Sequence, residues 1–145
     1  MVEIANNKFC WWLKHFFSEC ERKLETFVRF HAWLDAERFG KNGKKTRKRR
    51  VYFKGEYPDP GPYSYLWIYL CDFWPGKTWS DLKAWSELTS TKLSPVEYNI
   101  MWKMTIAYID QIQKSSDVSC PSPVVNKLDP DDICKKTHEV FKRLT

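Results

Sequence analysis

Long apolar runs are missing from this chain of 145 residues. The longest uncharged apolar stretch runs from Tyr63 to Cys71 and has nine residues, whereas a helix needs about 20 apolar residues to span a bilayer. At the N-terminus, no cationic leader precedes a small-residue cleavage site, so the sequence predicts no secretory signal. We therefore expect a cytoplasmic protein that does not bind a membrane.

Sequence patterns of the common enzyme classes are missing as well. The chain has no P-loop, no dinucleotide-binding glycine pattern, no G-x-S-x-G elbow and no H-E-x-x-H motif. Its three histidines, His15, His31 and His138, fall on predicted helices, and none stands beside a candidate nucleophile. We therefore predict no catalytic residues, no cofactor and no enzymatic activity.

Cysteine pairs at short spacings are also absent. The five cysteines are Cys10, Cys20, Cys71, Cys120 and Cys134. Their odd number and wide scatter are typical of reduced thiols rather than of a disulfide framework. Cys134 and His138 are one helical turn apart, but a structural zinc ion needs four ligands and the sequence places no fourth. We therefore predict no metal site.

Aromatic residues, in contrast, are abundant. They make up 17% of the chain and include eight tryptophans. So many rings indicate either an unusually bulky core or a surface that binds a partner, because tryptophan and tyrosine are enriched in interface hot spots.

The positive charge is concentrated in one segment. Because the net charge is +6 and seven cations with no acid lie between Lys41 and Arg50, the remainder of the chain carries 6 − 7 = −1. Such a run can contact phosphates or an acidic protein surface, although a solvated loop is slightly favoured. A nucleic-acid-binding regulator would use six of these cations: Lys44, Lys45, Arg47, Lys48, Arg49 and Arg50.

A long α-helix is predicted over residues 7–39. Apolar positions recur there at steps of three or four residues, from Phe9 to Leu34. Asn6 or Asn7 can cap its start, and Gly40 can end it. Its length would be about 45–50 Å, more than the width of a compact domain of this size, so the helix either breaks near Cys20 or projects.

Three further helices are predicted over residues 63–73, 79–89 and 95–114. Ser94 supplies an N-cap hydroxyl, followed by a proline at N1 and by Glu97 at N3, a strong helix start. Thr78 and Asp81 form a similar start. The helix over 95–114 is apolar on two arcs, so we expect it at the centre of the fold.

These elements predict an all-α fold, a bundle of about five helices with little or no sheet. Residues 1–114 form the helical domain, with a basic loop over residues 40–50. A linker follows over residues 115–128, and an amphipathic C-terminal helix over residues 129–145 completes the chain.

Residues 58–109 combine several elements of one pattern. The pattern comprises Pro60-Gly61-Pro62, an aromatic helix from Tyr65 to Phe73, Trp79-x-Asp81-Leu82-x-x-Trp85-x-x-Leu88-Thr89, Leu93-Ser94-Pro95-x-Glu97 and Met104-x-x-x-Tyr108-Ile109. This segment resembles small tailed-phage proteins of the tail-assembly chaperone type. The resemblance implies a viral, non-enzymatic factor in the host cytoplasm that binds the tape-measure protein or tail-tube subunits during assembly.

We therefore expect a protein-interaction factor that uses aromatic helix faces. The expected contact residues are Trp11, Trp12, Phe16, Phe17, Trp79, Trp85 and Trp102. A viral inhibitor of a host protein would use the same faces and remains an alternative, as does the nucleic-acid-binding regulator.

Overall fold

The computed structural model describes residues 2–74 and 76–124 together with His138 and Lys142, and the side chains from Lys8 onward. Within these residues the protein is mainly helical, with α1 (Val2–Asp35), α2 (Ser64–Phe73), α3 (Trp79–Leu88) and α4 (Pro95–Lys114). The predicted all-α class is confirmed. The described part contains four α-helices rather than about five, and the helix predicted over 129–145 lies outside it apart from His138 and Lys142.

The long helix α1 is continuous, and its predicted bounds are wrong at both ends. It begins at Val2 rather than near residue 7, so Asn6 and Asn7 lie within it and do not cap it. It ends at Asp35, ahead of Gly40, because the chain then turns into a strand whose Phe39 N–H donates to the Ser116 carbonyl at 3.3 Å. Although α1 is long, no helix in the described residues combines the length and apolarity needed to cross a membrane.

The predicted basic loop contains regular structure. Two-residue strands β1 (Arg38–Phe39) and β2 (Lys45–Thr46) pair antiparallel, and Arg49–Val51 forms a 3-10 helix. The turn between the strands includes Gly43, whose φ of 67° favours glycine. The predicted loop over residues 40–50 is therefore part of a hairpin over residues 38–46 that is followed by a 3-10 turn, and the little sheet that was expected is this ribbon.

Two predicted helix starts are confirmed in atomic detail. At α4, Ser94 Oγ accepts from the Glu97 N–H at 3.2 Å, and Glu97 Oε1 accepts from the Ser94 N–H at 3.0 Å. Thr78 and Asp81 form the same reciprocal pair at α3. Each pair satisfies two of the N–H groups that a helix start leaves without partners.

The core lies where α4 packs against the other three helices. Its buried members come from all four helices: Leu24, Val28, Leu66, Leu70, Phe73, Leu82, Ile100, Met101 and Met104. Two long-range ion pairs, Lys103–Glu21 at 3.1 Å and Arg29–Asp110 at 2.7 Å, border the contact between α1 and α4. The central position of α4 explains why its sequence is apolar over so much of its circumference.

Candidate protein-interaction site on the projecting helix

The first half of α1 carries large apolar side chains that the described residues leave uncovered. Four exposed rings, together with the half-buried Leu13, form what we call the aromatic stripe: Phe9, Trp12, Leu13, Phe16 and Phe17. The four rings of the stripe are 44–61% exposed. Large aromatic side chains are normally buried on folding, so their exposure in a row is the most unusual feature of this surface.

The aromatic stripe continues the face that forms the core further along the same helix. Eleven residues make slightly more than three turns of α-helix, so positions i and i+11 point in nearly the same direction. Leu13 thus corresponds to Leu24, and Phe17 to Val28. Both of those later residues are fully buried. Four of the five stripe positions are apolar in both halves of α1, whereas Trp12 corresponds to Lys23 and lies at the edge of the face.

The position of α4 explains where the cover stops. The two ion pairs that connect α1 and α4 join residues 82 and 81 positions apart, so the helices run parallel at a constant offset. With that offset, Pro95 at the start of α4 is level with Leu13. Since a helix rises 1.5 Å per residue, about 16 Å of α1 extends beyond the start of α4.

A groove adjoins the base of the aromatic stripe. It has a volume of about 280 Å³ and is lined in part by Phe17, Tyr63, Tyr65 and Val96. The Tyr65 hydroxyl donates to Glu97 Oε2 at 2.9 Å. Burial and this bond to a carboxylate raise the pKa of Tyr65 to about 12, so the hydroxyl stays protonated and holds the groove wall in place.

The charges beside the aromatic stripe are mostly positive. Lys8 and Lys14 are exposed. Glu19 pairs with Arg22 one turn later, and the hydrogen bond from Arg22 lowers the pKa of the Glu19 carboxyl. Because that carboxylate is already compensated, the two lysines dominate the electrostatic field along the stripe.

Trp11, one of the predicted contact residues, lies off the stripe. Its ring stacks on that of His15 with 5.3 Å between the ring centroids.

A second aromatic surface lies on α3 and α4. Trp79 stacks on Trp102 with ring centroids 4.9 Å apart and planes 22° from parallel. Trp79 is 48% exposed, and Ile106, one turn after Trp102, is 49% exposed. This pair is separate from the aromatic stripe, so the predicted contact residues form two surfaces rather than one.

Trp85 belongs to the packing between helices. It is only partly exposed, contacts the core cluster, and donates from Nε1 to Asp72 Oδ2 on α2 at 2.8 Å. Its ring also lies 5.7 Å from that of Tyr69. These contacts connect α3 to α2, so the binding proposal below does not use Trp85.

Arg49, one of the six cations considered for nucleic-acid binding, is used inside the protein. Its side chain is buried, with 5% exposed. The guanidinium donates to the carbonyls of Trp33 at 3.0 Å, Ser115 at 2.8 Å and Asp117 at 2.6 Å. It thereby holds the chain after α4 against the end of α1, a role for which the charge run gave no signal.

Arg50 also makes its contacts within the protein. It donates from Nε and Nη2 to the Asp35 carboxylate at 2.6 and 2.7 Å, and Nη2 lies 3.0 Å from His31 Nδ1. Lys45 pairs with Glu37. The remaining three cations of the set, Lys44, Arg47 and Lys48, are exposed. A phosphate-binding surface on this segment would therefore have fewer free cations than the sequence indicates.

His31 lies in an aromatic cluster. Phe27, Tyr57 and Trp67 surround it, with ring centroids 4.4 to 5.4 Å away. Because Arg50 can only donate, Nδ1 accepts and the proton is on Nε2, which is buried without a hydrogen-bond partner. Burial and the Arg50 charge lower the pKa of His31, so the ring is neutral at pH 7.

The described residues contain no group of three or more His, Cys, Asp or Glu side chains that could hold a metal ion. Comparisons of the chain with known protein families, with curated proteins and with solved structures found no match. The functional interpretation therefore depends on the geometry of the described residues and on the resemblance stated above.

Sequence reasoning named four of the exposed rings on α1 but omitted Phe9 and Leu13 from the contact set. Both were visible as apolar positions in the helical periodicity. What was missing was the offset between α1 and α4, which places the start of α4 level with Leu13. The apolar pattern alone treats Leu13 and Leu24 alike.

Proposed function

We propose that this protein is a non-enzymatic interaction factor that binds a protein partner through the aromatic stripe of its projecting helix. One observation carries the proposal: the face of α1 that forms the core continues past Leu13, the level at which α4 begins, and the rings of the aromatic stripe on both sides of that level are 44–61% exposed. The partner would occupy the place beside Phe9 and Leu13 that α4 occupies beside Leu24.

The size of the uncovered surface supports this function. An aromatic side chain has about 150–250 Å² of surface. At the exposures measured here, the four rings of the aromatic stripe present on the order of 400 Å² to solvent. The largest apolar patch on a protein surface is often functional at this size, and buried aromatic anchors dominate binding energies.

The shape of the surface favours a helical partner. A straight helix with a continuous apolar face accepts another helix whose apolar residues recur every three or four positions. α4 binds the later half of α1 in this way. The groove lined by Phe17, Tyr63 and Val96 would receive the end of the partner helix next to the start of α4.

The most concrete version of the proposal is a tail-assembly chaperone of a tailed phage. In this version the aromatic stripe covers an apolar helix of the tape-measure protein, or a surface of a tail-tube subunit, until assembly. The resemblance over residues 58–109 supports it. A viral inhibitor of a host protein would use the same stripe, so the identity of the partner decides between the two.

Co-expression with tape-measure and tail-tube proteins, followed by affinity capture, tests this version. We expect the wild-type protein to recover one of them. We expect the Phe9→Glu/Leu13→Glu variant to recover neither, because two carboxylates would be placed in an apolar contact. The matched control is Val51→Glu, which adds a charge at a residue that is 63% exposed and lies outside the stripe.

Two results would count against the proposal in different ways. If the wild-type protein recovers neither tail protein, the chaperone version is wrong and a host target is the next to test. If the double variant recovers the partner as well as Val51→Glu does, the aromatic stripe is not the binding surface.

A further inference from the structure

A small aromatic cleft lies where the end of α1 meets α2 and α4. It has a volume of about 170 Å³ and is lined by Asp35, Trp67, Leu70, Cys71, Trp74 and Tyr108. No part of the proposed partner binding uses it. Since sites for larger ligands usually exceed about 300 Å³, the cleft suits a compact chemical group rather than a nucleotide or a peptide segment.

Three aromatic rings form the walls of the cleft. Trp74 and Tyr108 meet at 64° with their centroids 4.6 Å apart, and the Trp67 centroid lies 6.4 Å from that of Tyr108. The planes of Trp67 and Tyr108 are inclined at 47°. All three rings line the cleft, and an aromatic ring attracts a cation to its face.

Among the described residues, the cleft is also lined by one carboxylate and by no cationic side chain. Asp35 lines it, whereas Arg50, its ion-pair partner, does not. Burial and the Asp35 charge raise the pKa of the Cys71 thiol. For the Tyr108 hydroxyl, burial, Asp35 and Cys71 raise the pKa, against a smaller lowering by Arg50. The Asp35 end of the ion pair thus faces the cleft and favours a positive ligand.

The hydrogen bonding of Asp35 narrows the choice of cation. Both of its carboxylate oxygens already accept hydrogen bonds from Arg50. A primary ammonium group would compete with Arg50 for these acceptors. A quaternary ammonium group has no N–H donor and needs only ring faces and a negative potential, which is the pattern of aromatic cages.

We propose that this cleft binds a trimethylammonium group. The rings of Trp67, Trp74 and Tyr108 would contact its methyl groups, and Asp35 would supply the opposite charge. Two sources share this chemistry: choline, free or as a lipid headgroup, and the side chain of a trimethylated lysine in a partner. The proposal is independent of the aromatic stripe on α1 and goes beyond the proposed function.

The first test uses a pair of matched ligands with the wild-type protein. Choline and its uncharged carbon isostere, 3,3-dimethylbutan-1-ol, are titrated while the indole N–H resonances of Trp67 and Trp74 are followed by NMR. We expect saturable shifts with choline, with a dissociation constant on the order of 1 mM, and at least about tenfold weaker binding of the isostere. Equal binding of both ligands, or no saturable shift with choline, would overturn the proposal.

Variants then locate the site. Trp74→Leu removes one ring, and Asp35→Asn removes the charge at constant size. We expect each to weaken choline binding at least about tenfold. Tyr52→Leu is the control, because Tyr52 is an exposed ring outside the cleft. Circular dichroism identifies a variant that fails to fold, in which case the ligand pair on the wild-type protein remains decisive. Unchanged binding by a folded Trp74→Leu variant would place the ligand elsewhere and overturn the assignment.

The source of the ligand is distinguished by two further probes. One is a short peptide with a central trimethyllysine, compared with the same peptide carrying unmodified lysine. The other is phosphatidylcholine vesicles in a flotation assay. Selective binding of the methylated peptide supports a partner side chain, and flotation that depends on Trp74 supports a lipid headgroup.

Discussion

The two halves of α1 carry similar apolar faces, but the face is buried in the later half and largely exposed in the earlier half. In the later half, Leu24 and Val28 are fully buried under neighbouring helices, whereas in the earlier half Phe9 and Phe17 are 61% and 46% exposed. The difference arises outside α1, from where α4 begins. An amphipathic pattern therefore identifies a face that requires cover, and the rest of the chain decides how much of that face is covered.

The later half of α1 stabilises the fold, whereas the earlier half is the part proposed to bind a partner. Burying a leucine or phenylalanine side chain contributes about 1.5–3 kcal/mol, so the later half of α1 holds the domain together. The earlier half gains little from packing within the chain, and a helix of that length is marginal by itself. A partner that covered the aromatic stripe would stabilise the helix as it bound.

The largest expected effect comes from truncating equivalent leucines in the two halves. We expect Leu24→Ala to lower the free energy of unfolding by about 2–5 kcal/mol, because it opens a cavity in the core. Leu13→Ala, eleven residues earlier on the same face, should cost less than about 1 kcal/mol. Urea unfolding followed by circular dichroism measures both. Similar losses for the two variants would show that the earlier half is packed in the free protein, which would break the comparison.

Arg49 tests how the packed end of α1 is held. We expect Arg49→Ala to lower the free energy of unfolding by about 2–3 kcal/mol, since it removes hydrogen bonds from a charged donor to three carbonyls. Its neighbour Lys48 is exposed, so Lys48→Ala should change stability by no more than about 0.5 kcal/mol. Urea unfolding of both variants provides the measurement. Equal losses of stability in the Arg49→Ala and Lys48→Ala variants would show that the hydrogen bonds of Arg49 do not stabilise the fold.

Ser94 sharpens the boundary between the two halves, because its cap fixes where α4 begins. We expect Ser94→Ala to cost about 1 kcal/mol, the usual cost of losing an N-cap. We also expect faster hydrogen exchange of amides near Tyr98, in the first turns of α4. Ser80→Ala, at an exposed position early in α3, is the control. No change in exchange near Tyr98 would show that packing rather than the cap fixes this end.

The smallest expected effect is a pH dependence from His31, in the packed half. The lowered pKa means that the folded protein disfavours the protonated ring, so the unfolded chain binds more protons below the ordinary value of 6.5. The stability contributed by neutral His31 is therefore complete above about pH 6.5, and it is lost as the pH falls towards the lowered folded-state pKa. The urea concentration at the midpoint of unfolding of the wild-type protein should decrease as the pH is lowered through this range. His31→Phe, which keeps a ring in the cluster, should show a flatter dependence, and an unchanged slope would contradict the assignment.

The starts of α3 and α4 were predictable from sequence because a capping box depends on residues three positions apart. Ser94 and Glu97, like Thr78 and Asp81, carry all the necessary information locally. The start of α1 was not predictable in this way. Asn6 and Asn7 are good caps by type, yet nothing local prevents the helix from extending past them to Val2.

Arg49 and Asp35 show the opposite case, in which tertiary contacts decide the role of a residue. In the sequence, Arg49 is one cation in a run of seven, and Asp35 is an ordinary polar residue near a helix end. Only the fold brings Arg49 to the carbonyls of Ser115 and Asp117, and Asp35 to the rings of Trp67 and Tyr108. Contacts between residues so far apart in the chain leave no periodic signal.

By itself, the sequence determined the helical class, the two capped helix starts and the apolar face along α1, because each depends on residues within a few turns of one another. The tertiary structure decided how far α4 covers that face, which cations are buried and where the aromatic rings form a cleft. These features depend on the offset between parallel helices and on long-range packing. Short-range pattern and propensity do not contain that information.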